Sequence, residues 1–326
     1  MLIPTERSNR STCLLVGAVV AAIVLLACVL LAIALFSYDL FEVEDDGGPV
    51  AVETASLAPD RGELIVSVLD VDQGQAVLVV APDGSAALID AGRSQTRIRE
   101  EIEPYARSLG VEALDYLILS HPDQDHVGGM PQVLESFPVG SWVDPGIPTT
   151  NQTYEVTIEI VLDRDIPAIL ARQGEQLELG GVTMSVLWPE DEFLLSGNEP
   201  DSNENSVVVL ISFDEIDILV PGDLEDRGEG ALLARYGADL ETEILVAGHH
   251  GSNSSSTGGF LDAVNAEVAV ISAGADNPYG HPHDEVLQRL RFRDIEIYRT
   301  DLDGTIEIRT DGNAYTIDTV ETDVRP

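Results

Sequence analysis

The histidines of this chain are grouped in a way that limits how it can fold. All six occur in three close pairs, His121/His126, His249/His250 and His281/His283. Each pair follows an apolar, strand-like segment: LILS precedes HPDQDH, ILVAG precedes HHGS, and VISAGADNPYG precedes HPH. Loops at strand ends are common places for functional sites, because the rigid sheet holds them. The pattern therefore predicts a sheet whose strand ends bring the three pairs together.

The apolar segments around these pairs alternate between strand-like and helix-like patterns. Helices are predicted at 96–109, 224–236 and 285–290, where apolar residues recur at helical spacing. Strands are predicted at 64–70, 76–80, 86–90, 116–119, 207–213, 216–220, 244–247, 268–272 and 295–298. Two successive mixed halves predict an α/β (α+β) fold, in which two sheets pack face to face and the helices lie outside.

Cysteine usage limits the chemistry of any metal site. Cys13 and Cys28 are the two cysteines of the chain. In one helix, with a rise of about 1.5 Å per residue, they would lie roughly 22 Å apart, too far for a disulfide. The rest of the chain cannot bind a metal through thiolates. A metal site must therefore use histidine and carboxylate side chains.

The HPDQDH segment offers four such side chains in six residues. A bent loop can direct His121 and Asp123 toward one ion, and Asp125 and His126 toward a second ion. Imidazole suits zinc, manganese or iron, whereas the added carboxylates favour harder ions such as Mn²⁺. Asp223, in the strand-end segment VPGDLE, can bridge two ions.

Two further features of the sequence support such a site. Asp90, at the end of ALIDAG, is predicted to orient a histidine ligand from behind. Gly128 and Gly129 allow the backbone to pass close to the site before a helix begins. For both Asp90 and Asp223, an ordinary turn beside glycine is the alternative interpretation.

Together these segments resemble the metallo-β-lactamase superfamily, and more closely the extracytoplasmic hydrolase domain of ComEC-type DNA-uptake proteins. The matching segments run in order from Leu69 to about Ile306: VLDVDQGQAVLV, LIDAG, LILSHPDQDHVGG, NENSVVVLI, ILVPGDLE, ILVAGHHGSNSSS, VISAGADNPYGHPHDEVLQRL and IYRTDLDGTI. The resemblance implies a four-layer αββα sandwich with two divalent metal ions, zinc or manganese. The implied ligands or near-ligands are His121, Asp123, Asp125, His126, Asp223, one or both of His249 and His250, and His281 in preference to His283.

The chain departs from the family pattern in two respects. The family usually has DVGQGDA, where this chain has Asp72 and Gln75. The missing acidic residue at position 75 weakens any role transferred to it. The multi-helix channel of the full-length uptake proteins is also absent from this sequence, so this chain is not expected to conduct DNA itself.

An uncharged apolar segment, Leu14–Phe36, precedes this domain. A run of about 23 apolar residues can span a bilayer core of roughly 30 Å. Arg7 and Arg10 precede it and acidic residues follow, and positive residues normally stay on the cytoplasmic side. The sequence therefore predicts a cytoplasmic tail at 1–13, a single-pass anchor at 14–36, an acidic linker at 37–61 and an outward-facing domain at 62–326. A cleaved signal peptide is the alternative, although no A-x-A site ends the run, and LLAC faintly resembles a lipoprotein box.

Acidic residues far outnumber basic ones. The chain has 58 Asp and Glu against 17 basic residues, all of them Arg, and a formal net charge of −41. This balance excludes a protein that coats nucleic acid through a basic surface. Such acidity without lysine is typical of proteins from salt-loving organisms. In molar salt the Debye length falls to about 3 Å, so the charges of a highly acidic surface repel one another little. An acidic protein from a GC-rich genome is the alternative.

These features lead to a functional hypothesis. Two metal ions can lower the pKa of a bridging water and polarise the bond under attack, so we expect a membrane-anchored nuclease or other phosphodiesterase. Its predicted catalytic residues are Asp125, His249 and His250. Candidate phosphate-binding residues are Ser252, Ser254, Arg289 and Arg293. The alternative is that the serines form a flexible turn and the arginines pair with the abundant acids.

Two other functions are compatible with the same sequence. The fold also supports hydrolysis of a lactone, a lactam or another ester, because one fold serves many chemistries. The other is a non-catalytic binding partner of a DNA-uptake channel. Six histidines in three clusters with neighbouring acids count against the second alternative, because a binding module has no physical need for them.

Overall fold

The computed structural model describes residues 62–320. The predicted tail, membrane anchor and linker, residues 1–61, lie outside the described residues. Within 62–320 no helix is both long enough and apolar enough to cross a membrane.

The first sheet has eight strands in the spatial order β17-β16-β1-β2-β3-β4-β5-β6. Strands β1–β3, β16 and β17 pair antiparallel, whereas β3, β4, β5 and β6 run parallel. The strands are β1 (Leu64–Val68), β2 (Val77–Val80), β3 (Ala86–Ile89), β4 (Leu114–Ile118), β5 (Val139–Asp144), β6 (Ala168–Leu170), β16 (Thr305–Thr310) and β17 (Tyr315–Val320).

The second sheet has seven strands in the order β15-β14-β13-β12-β11-β8-β7. Here β12 to β15 run parallel, and β7, β8, β11 and β12 pair antiparallel. The strands are β7 (Gln176–Leu179), β8 (Val182–Trp188), β11 (Val208–Phe213), β12 (Ile216–Val220), β13 (Ile244–Val246), β14 (Val268–Ile271) and β15 (Glu296–Arg299). A separate two-strand ribbon consists of β9 (Leu195–Ser196) and β10 (Glu199–Pro200).

Helices occupy the connections between the strands. Residues 95–108 form an almost continuous helix made of Gln95–Arg97, a π-helical turn at Ile98–Ile102, and Glu103–Ser108. The other α-helices are Gln124–Val127, Met130–Ser136, Gln152–Asp163, Asp226–Tyr236, Gly258–Val264, Asp284–Arg291 and Thr300–Asp303. Short 3-10 turns lie at Asn203–Asn205, Gly237–Leu240 and Gly248–Gly251.

Side-chain alternation along the strands produces the layers. In β1, Leu64, Val66 and Val68 join the apolar core between the two sheets, whereas Ile65 joins the core between the first sheet and its helices. In β12, Ile218 lies in the inter-sheet core, and Leu219 faces the helices that cover the second sheet. Successive strand residues point to opposite faces, so this alternation gives the predicted αββα arrangement.

The parallel strands determine where a site can form. Their carboxyl ends lie at one edge of each sheet, which is where loops converge in open α/β sheets. Strands β3 and β4 of the first sheet end just before Asp90 and His121. Strands β12 and β13 of the second sheet end just before Asp223 and His249. The fold therefore brings chemically active residues from both sheets to one edge.

The core of β4 gives a stability prediction. Leu117 is fully buried beneath the helices of the first sheet, whereas Leu162 is 70% exposed on the helix Gln152–Asp163. We expect Leu117→Ala to lower the free energy of unfolding by about 2–5 kcal/mol through lost apolar contacts and a residual cavity. Leu162→Ala should change it by less than about 0.5 kcal/mol. Urea unfolding of both variants tests this, and equal losses would contradict the assigned layers.

Candidate metal centre

Asp223 lies at the centre of the converging loops. It is buried, and four imidazoles surround its carboxylate. The Asp223 carboxylate oxygens lie 3.1 Å from Nε2 of His126 and 3.5 Å from Nε2 of His250. They lie 3.6 Å from Nε2 of His249 and 3.9 Å from Nε2 of His121. Side chains separated by about 100 residues in the sequence therefore meet at one carboxylate, as the histidine pattern predicts.

The remaining predicted side chains adjoin this cluster. Asp123 lies 3.9 Å from Nε2 of His121, and Asp125 lies 3.6 Å from Nε2 of His250. The ring centroid of His281 is 5.5 Å from that of His249. The ring centroid of His283 is 4.9 Å from that of His281. All six histidine rings thus form one connected group.

Two sets of ligand-type atoms in this cluster are close enough to hold a cation. One set is His121, His126 and Asp223, and the other is Asp125, His126 and His250; within each set the atoms lie within 4.8 Å of one another. Among the described residues, Nε2 of His121 is buried and has no hydrogen-bond partner. Buried polar atoms normally have partners, so this nitrogen, beside the Asp223 carboxylate, fits a ligand of a divalent cation.

A buried hydrogen-bond network orients His126. Nδ1 of His126 lies 2.7 Å from Oδ2 of Asp90, and both residues are fully buried. Asp90 also accepts hydrogen bonds from the Ser120 hydroxyl at 2.6 Å and from Gln75 Nε2 at 2.8 Å. Because a carboxylate only accepts, His126 donates from Nδ1, and this hydrogen bond directs its Nε2 toward the centre.

The same logic applies to two other imidazoles. His250 donates from Nδ1 to the backbone oxygen of Ser272 at 2.9 Å, which leaves its Nε2 facing Asp223. The Ser120 hydroxyl donates to Asp90, so its oxygen is available to accept from Nδ1 of His121 at 3.0 Å. All three rings thus present Nε2 to the centre, the arrangement typical of histidine ligands held from behind.

Burial and opposite charge act against each other in this cluster. Burial would lower the pKa of His126, but Asp223 and Asp90 outweigh it and raise that pKa well above its usual value. Burial would raise the pKa of Asp223, but His126 and His250 hold it well below its usual value. Burial lowers the pKa of His121 and of His250. His126 therefore holds a proton between two carboxylates in the metal-free protein, at a position where a cation could replace it.

His249 lies in a more open environment than His250. Its Nδ1 lies 3.0 Å from Oε1 of Glu225, and Glu225 also accepts from the Ser254 hydroxyl at 3.0 Å. Burial would lower the pKa of His249, but the hydrogen bond to Glu225 raises it. Burial and then His249 and His250 lower the pKa of His281 to about 4. His249 thus favours the protonated form, as His126 does, whereas His281 stays neutral.

Three residues of the centre have left-handed backbone conformations. The φ angles are +60° for Asp90, +50° for His249 and +55° for His250. Non-glycine residues seldom adopt such angles, and those that do cluster at functional sites. The surrounding hydrogen bonds hold the strained turn, including one from His249 N to Gly222 O at 3.0 Å.

The glycines beside HPDQDH allow close backbone contact. A Cβ at Gly128 would lie 2.2 Å from the backbone oxygen of Arg93, and one at Gly129 would lie 2.2 Å from that of Ala91. The helix Met130–Ser136 starts immediately afterwards. Both features agree with the role predicted for these glycines.

A small cleft opens onto the centre. Its volume is about 120 Å³, and it is lined by Gln73, Asp123, Asp125, Asp223, His249, His250, Tyr279 and His281. Drug-sized pockets are larger, at about 300–1,000 Å³. The cleft therefore admits one small polar group of a substrate rather than a whole large molecule.

The candidate phosphate-binding residues lie outside this lining. Arg289 donates to the backbone oxygens of Ser255 and Ser256 at 2.9 and 2.6 Å. Arg293 donates to Asp262 at 2.8 Å and to the backbone oxygen of Gly258 at 2.9 Å. Both arginines line a separate cavity. They thus brace the loop after His250, and their predicted phosphate contact stays a prediction.

The serines of the HHGS loop and His283 also have local partners. The Ser252 and Ser254 hydroxyls lie 2.9 Å apart. The backbone N–H of Asn253 donates to Nδ1 of His283 at 3.1 Å. Ser254 reaches the centre indirectly through Glu225. These contacts shape the loop that carries His249 and His250.

Sequence reasoning missed four residues that support the centre: Gln75, Ser120, Glu225 and Ser272. Ser120 and Gln75 bind Asp90, Glu225 binds His249, and Ser272 binds His250. Ser120 and Ser272 each follow a buried strand, β4 or β14, so their position was visible in the sequence. Their partners were not, because these contacts join segments that are distant along the chain.

Two packed sheets with outer helices, and a His/Asp cluster at their strand ends, define the class of protein. The family model of the metallo-beta-lactamase superfamily matches residues 69–275, and the chain belongs to this superfamily. Among solved structures, CmlA, a diiron beta-hydroxylase from Streptomyces venezuelae, is similar with a TM-score of 0.51 at 14% identity, over 77% of this chain and 55% of CmlA. That likeness shows the fold alone.

The curated relatives are more specific. The chain is 34% identical over 294 residues to Competence protein ComA of Neisseria gonorrhoeae, a match covering 90% of this chain and 38% of that protein. It is 30% identical over 260 residues to ComE operon protein 3 of Bacillus subtilis, covering 75% and 33% respectively. The chain thus spans less than two fifths of the length of these competence-protein homologues.

The hydrogen bond between Asp90 and His126 gives a prediction about metal affinity. We expect Asp90→Asn to weaken binding of Mn²⁺ or Zn²⁺ by about 10–100-fold. An amide would no longer hold the His126 ring in its orientation or raise the basicity of its Nε2. Asp191→Asn, at a carboxylate that is 95% exposed, is the matched control and should bind as the wild type does. Competition with a chelating dye measures both affinities. Equal affinities would show that Asp90 does not orient a ligand.

The raised pKa of His126 gives a prediction about pH. The proton on this imidazole must leave before Nε2 can bind a metal, so binding should release about one proton at neutral pH and should strengthen as pH rises. Calorimetric titrations in buffers of different ionisation enthalpy count the protons released. Binding with no buffer dependence would contradict the proposed protonated state.

Proposed function

We propose that this domain is a metal-dependent hydrolase that cleaves phosphodiester bonds, with DNA as its substrate. The observation that carries the proposal is the position of the Asp223 carboxylate. It belongs to one of the two sets of ligand-type side chains, and it lies 3.5 Å from Nε2 of His250 in the other set. Membership of the metallo-beta-lactamase superfamily and the competence-protein homologues support it.

The residues divide naturally between two ions. Asp125, His126 and His250, one of the two sets described above, would hold one ion. His121 and Asp223 from the other set would hold the second ion together with Asp123, which lies 3.9 Å from Nε2 of His121. When bound, two divalent ions would supply an activated water and neutralise the charge that develops on phosphorus. Asp223 would serve both ions, because its two oxygens face different histidines.

His249 is suited to a proton-transfer role. Glu225 binds its Nδ1 and favours the imidazolium form, while its Nε2 lies 3.6 Å from Asp223 at the edge of the cleft. A protonated imidazole there can donate to the leaving oxygen of a substrate. His281, which stays neutral, can act as a further ligand on the same side of the cleft.

We further propose that residues 14–36 anchor this domain to the cell membrane and that the domain acts outside the cytoplasm. The uncharged apolar segment, the arginines before it and the acidic residues after it support this arrangement. The competence-protein homologues are consistent with a role beside a DNA-uptake channel, as an enzyme that processes the DNA.

The function is tested with purified protein in high-salt buffer, loaded with Mn²⁺ or Zn²⁺. Single-stranded DNA, double-stranded DNA and bis(p-nitrophenyl) phosphate are assayed beside a lactam and a lactone. We expect turnover of the phosphodiesters. Turnover of only the lactam or lactone would contradict the proposal in favour of an ester or amide hydrolase. A metal-loaded protein inert on every substrate would favour a non-catalytic partner of the channel.

Removal of the shared ligand gives a sharper prediction. Asp223→Asn should lower kcat/KM on a phosphodiester by more than about 100-fold, since even residues behind metal ligands change activity by about 10–100-fold. Asp318→Asn, at an exposed carboxylate on β17, is the control and should retain full activity. Metal content of each variant is measured in parallel. Retained activity in Asp223→Asn would rule out this centre as the active site.

A further inference from the structure

Gln73 has an unexplained polar atom beside the cleft. Its side chain is only 7% exposed, and it forms part of the cleft lining. Its Nε2 is buried and has no hydrogen-bond partner among residues 62–320. A buried donor without an acceptor is destabilising, so such an atom calls for a partner that enters the site.

The orientation of this amide follows from its other end. Oε1 of Gln73 accepts a hydrogen bond from the backbone N–H of Gly274 at 3.5 Å. A carbonyl oxygen accepts and an amide nitrogen donates, so this contact assigns the oxygen to Gly274 and leaves the NH₂ group on the other side. Since Gln73 belongs to the lining of the cleft, a ligand that enters the cleft is the candidate partner for Nε2.

The turn that carries Gln73 is held from both halves of the sandwich. The Ser272 hydroxyl donates to the backbone oxygen of Gly74 at 2.8 Å. The backbone N–H of Gln75 donates to the backbone oxygen of Asp125 at 3.2 Å. A Cβ at Gly74 would lie 2.2 Å from the backbone oxygen of Asp125, and a Cβ at Gly274 would lie 2.8 Å from the backbone nitrogen of Gln73. The backbone that carries Gln73 is therefore packed tightly beside the loop of Asp125, as a preorganised site requires.

The charge of the cleft defines what Gln73 would bind. The carboxylates of Asp123, Asp125 and Asp223 line it, so bound cations would be needed before an anion could enter. Gln73 supplies an uncharged N–H donor in the same lining. Such a donor does not add to the charge of the site and can bind an anionic oxygen in a fixed direction.

We propose that Gln73 is a substrate-binding catalytic residue, whose side-chain NH₂ donates a hydrogen bond to a non-bridging oxygen of the phosphodiester in the cleft. The identity of the substrate rests on the function proposed above. The hydrogen-bonding role rests on the buried donor itself. Because negative charge on that oxygen grows as the phosphorus is attacked, the interaction strengthens toward the transition state.

The test compares three variants of the metal-loaded protein. Gln73→Leu removes the donor at similar size, and Gln73→Glu keeps the oxygen for Gly274 but replaces the donor with a negative charge. Gln132→Leu is the control, because Gln132 is also buried but its amide is already bound to Ser136 and Arg99. Metal content and melting temperature of each variant exclude loss of the ions or of the fold as the cause.

Kinetics on bis(p-nitrophenyl) phosphate is the first measurement. We expect Gln73→Leu to lose about 100-fold in kcat/KM, in the range observed for loss of one oxyanion donor. Gln73→Glu should lose more, because it repels the anionic oxygen. Gln132→Leu should match the wild type. Unchanged kinetics in Gln73→Leu, or a loss explained entirely by lost metal, would overturn the proposal.

Calorimetric binding of inorganic phosphate to the metal-loaded protein is the second measurement, and it does not require turnover. We expect Gln73→Leu to bind phosphate about 10-fold more weakly than the wild type. If the wild type cleaves no phosphodiester, the proposed function fails, but the Gln73 assignment is still decided by this measurement. Equal phosphate affinity in the wild type and Gln73→Leu, or no phosphate binding to the wild type, would overturn it.

Discussion

The buried carboxylate of Asp223 is the interaction on which the architecture of the site depends. Four imidazoles, from two different sheets, approach within 3.9 Å of it. A buried charge is costly unless it is paired, and His126 provides that pairing through its raised pKa. The same arrangement is ready for cations, because three of the imidazoles have their Nδ1 bound to other groups and direct Nε2 inward.

The two halves of the sandwich are joined by hydrogen bonds close to this carboxylate. Val207 N, which precedes β11, donates to Ser120 O after β4 at 2.8 Å. The Ser272 hydroxyl, after β14, donates to Gly74 O after β1 at 2.8 Å. The site therefore lies where the sheets are connected by polar contacts as well as by their apolar core. We infer that the geometry of the ligands depends on the packing of both sheets.

Sequence patterns predicted the secondary structure around the histidines well but missed several elements. The strand β8 (Val182–Trp188) has an alternating apolar pattern and was not predicted, nor were β5 (Val139–Asp144), the helix Gln152–Asp163 and the two C-terminal strands β16 and β17. These elements carry no ligand-type cluster. Half of the residues in the helix Gln152–Asp163 are apolar, but only Thr157 and Val161 are buried. The sequence of this helix therefore has a weak amphipathic pattern.

Position 75 shows how local reasoning about a motif can mislead. The absence of the family's acidic residue there suggests a weakened role for this position. In the structure the Gln75 amide donates to Asp90 at 2.8 Å, which a carboxylate could not do. At position 72 the family has glycine, and Asp72 adopts φ = +62°, a conformation that glycine reaches easily. Asp72 thus has a backbone conformation that suits the glycine of the family pattern, although the side chain differs.

The sequence by itself determined which side chains are available to a metal: histidines and carboxylates without cysteine, grouped where apolar strands end. Local spacing was sufficient for this, because ligand type and strand periodicity are properties of neighbouring residues. Only the tertiary structure decided which nitrogen of each ring faces the centre and that Arg289 and Arg293 brace a loop outside the cleft. It also decided that Nε2 of Gln73 has no acceptor within residues 62–320. Those facts depend on contacts between residues far apart in the chain, which the packing of the two sheets brings together and which no local pattern encodes.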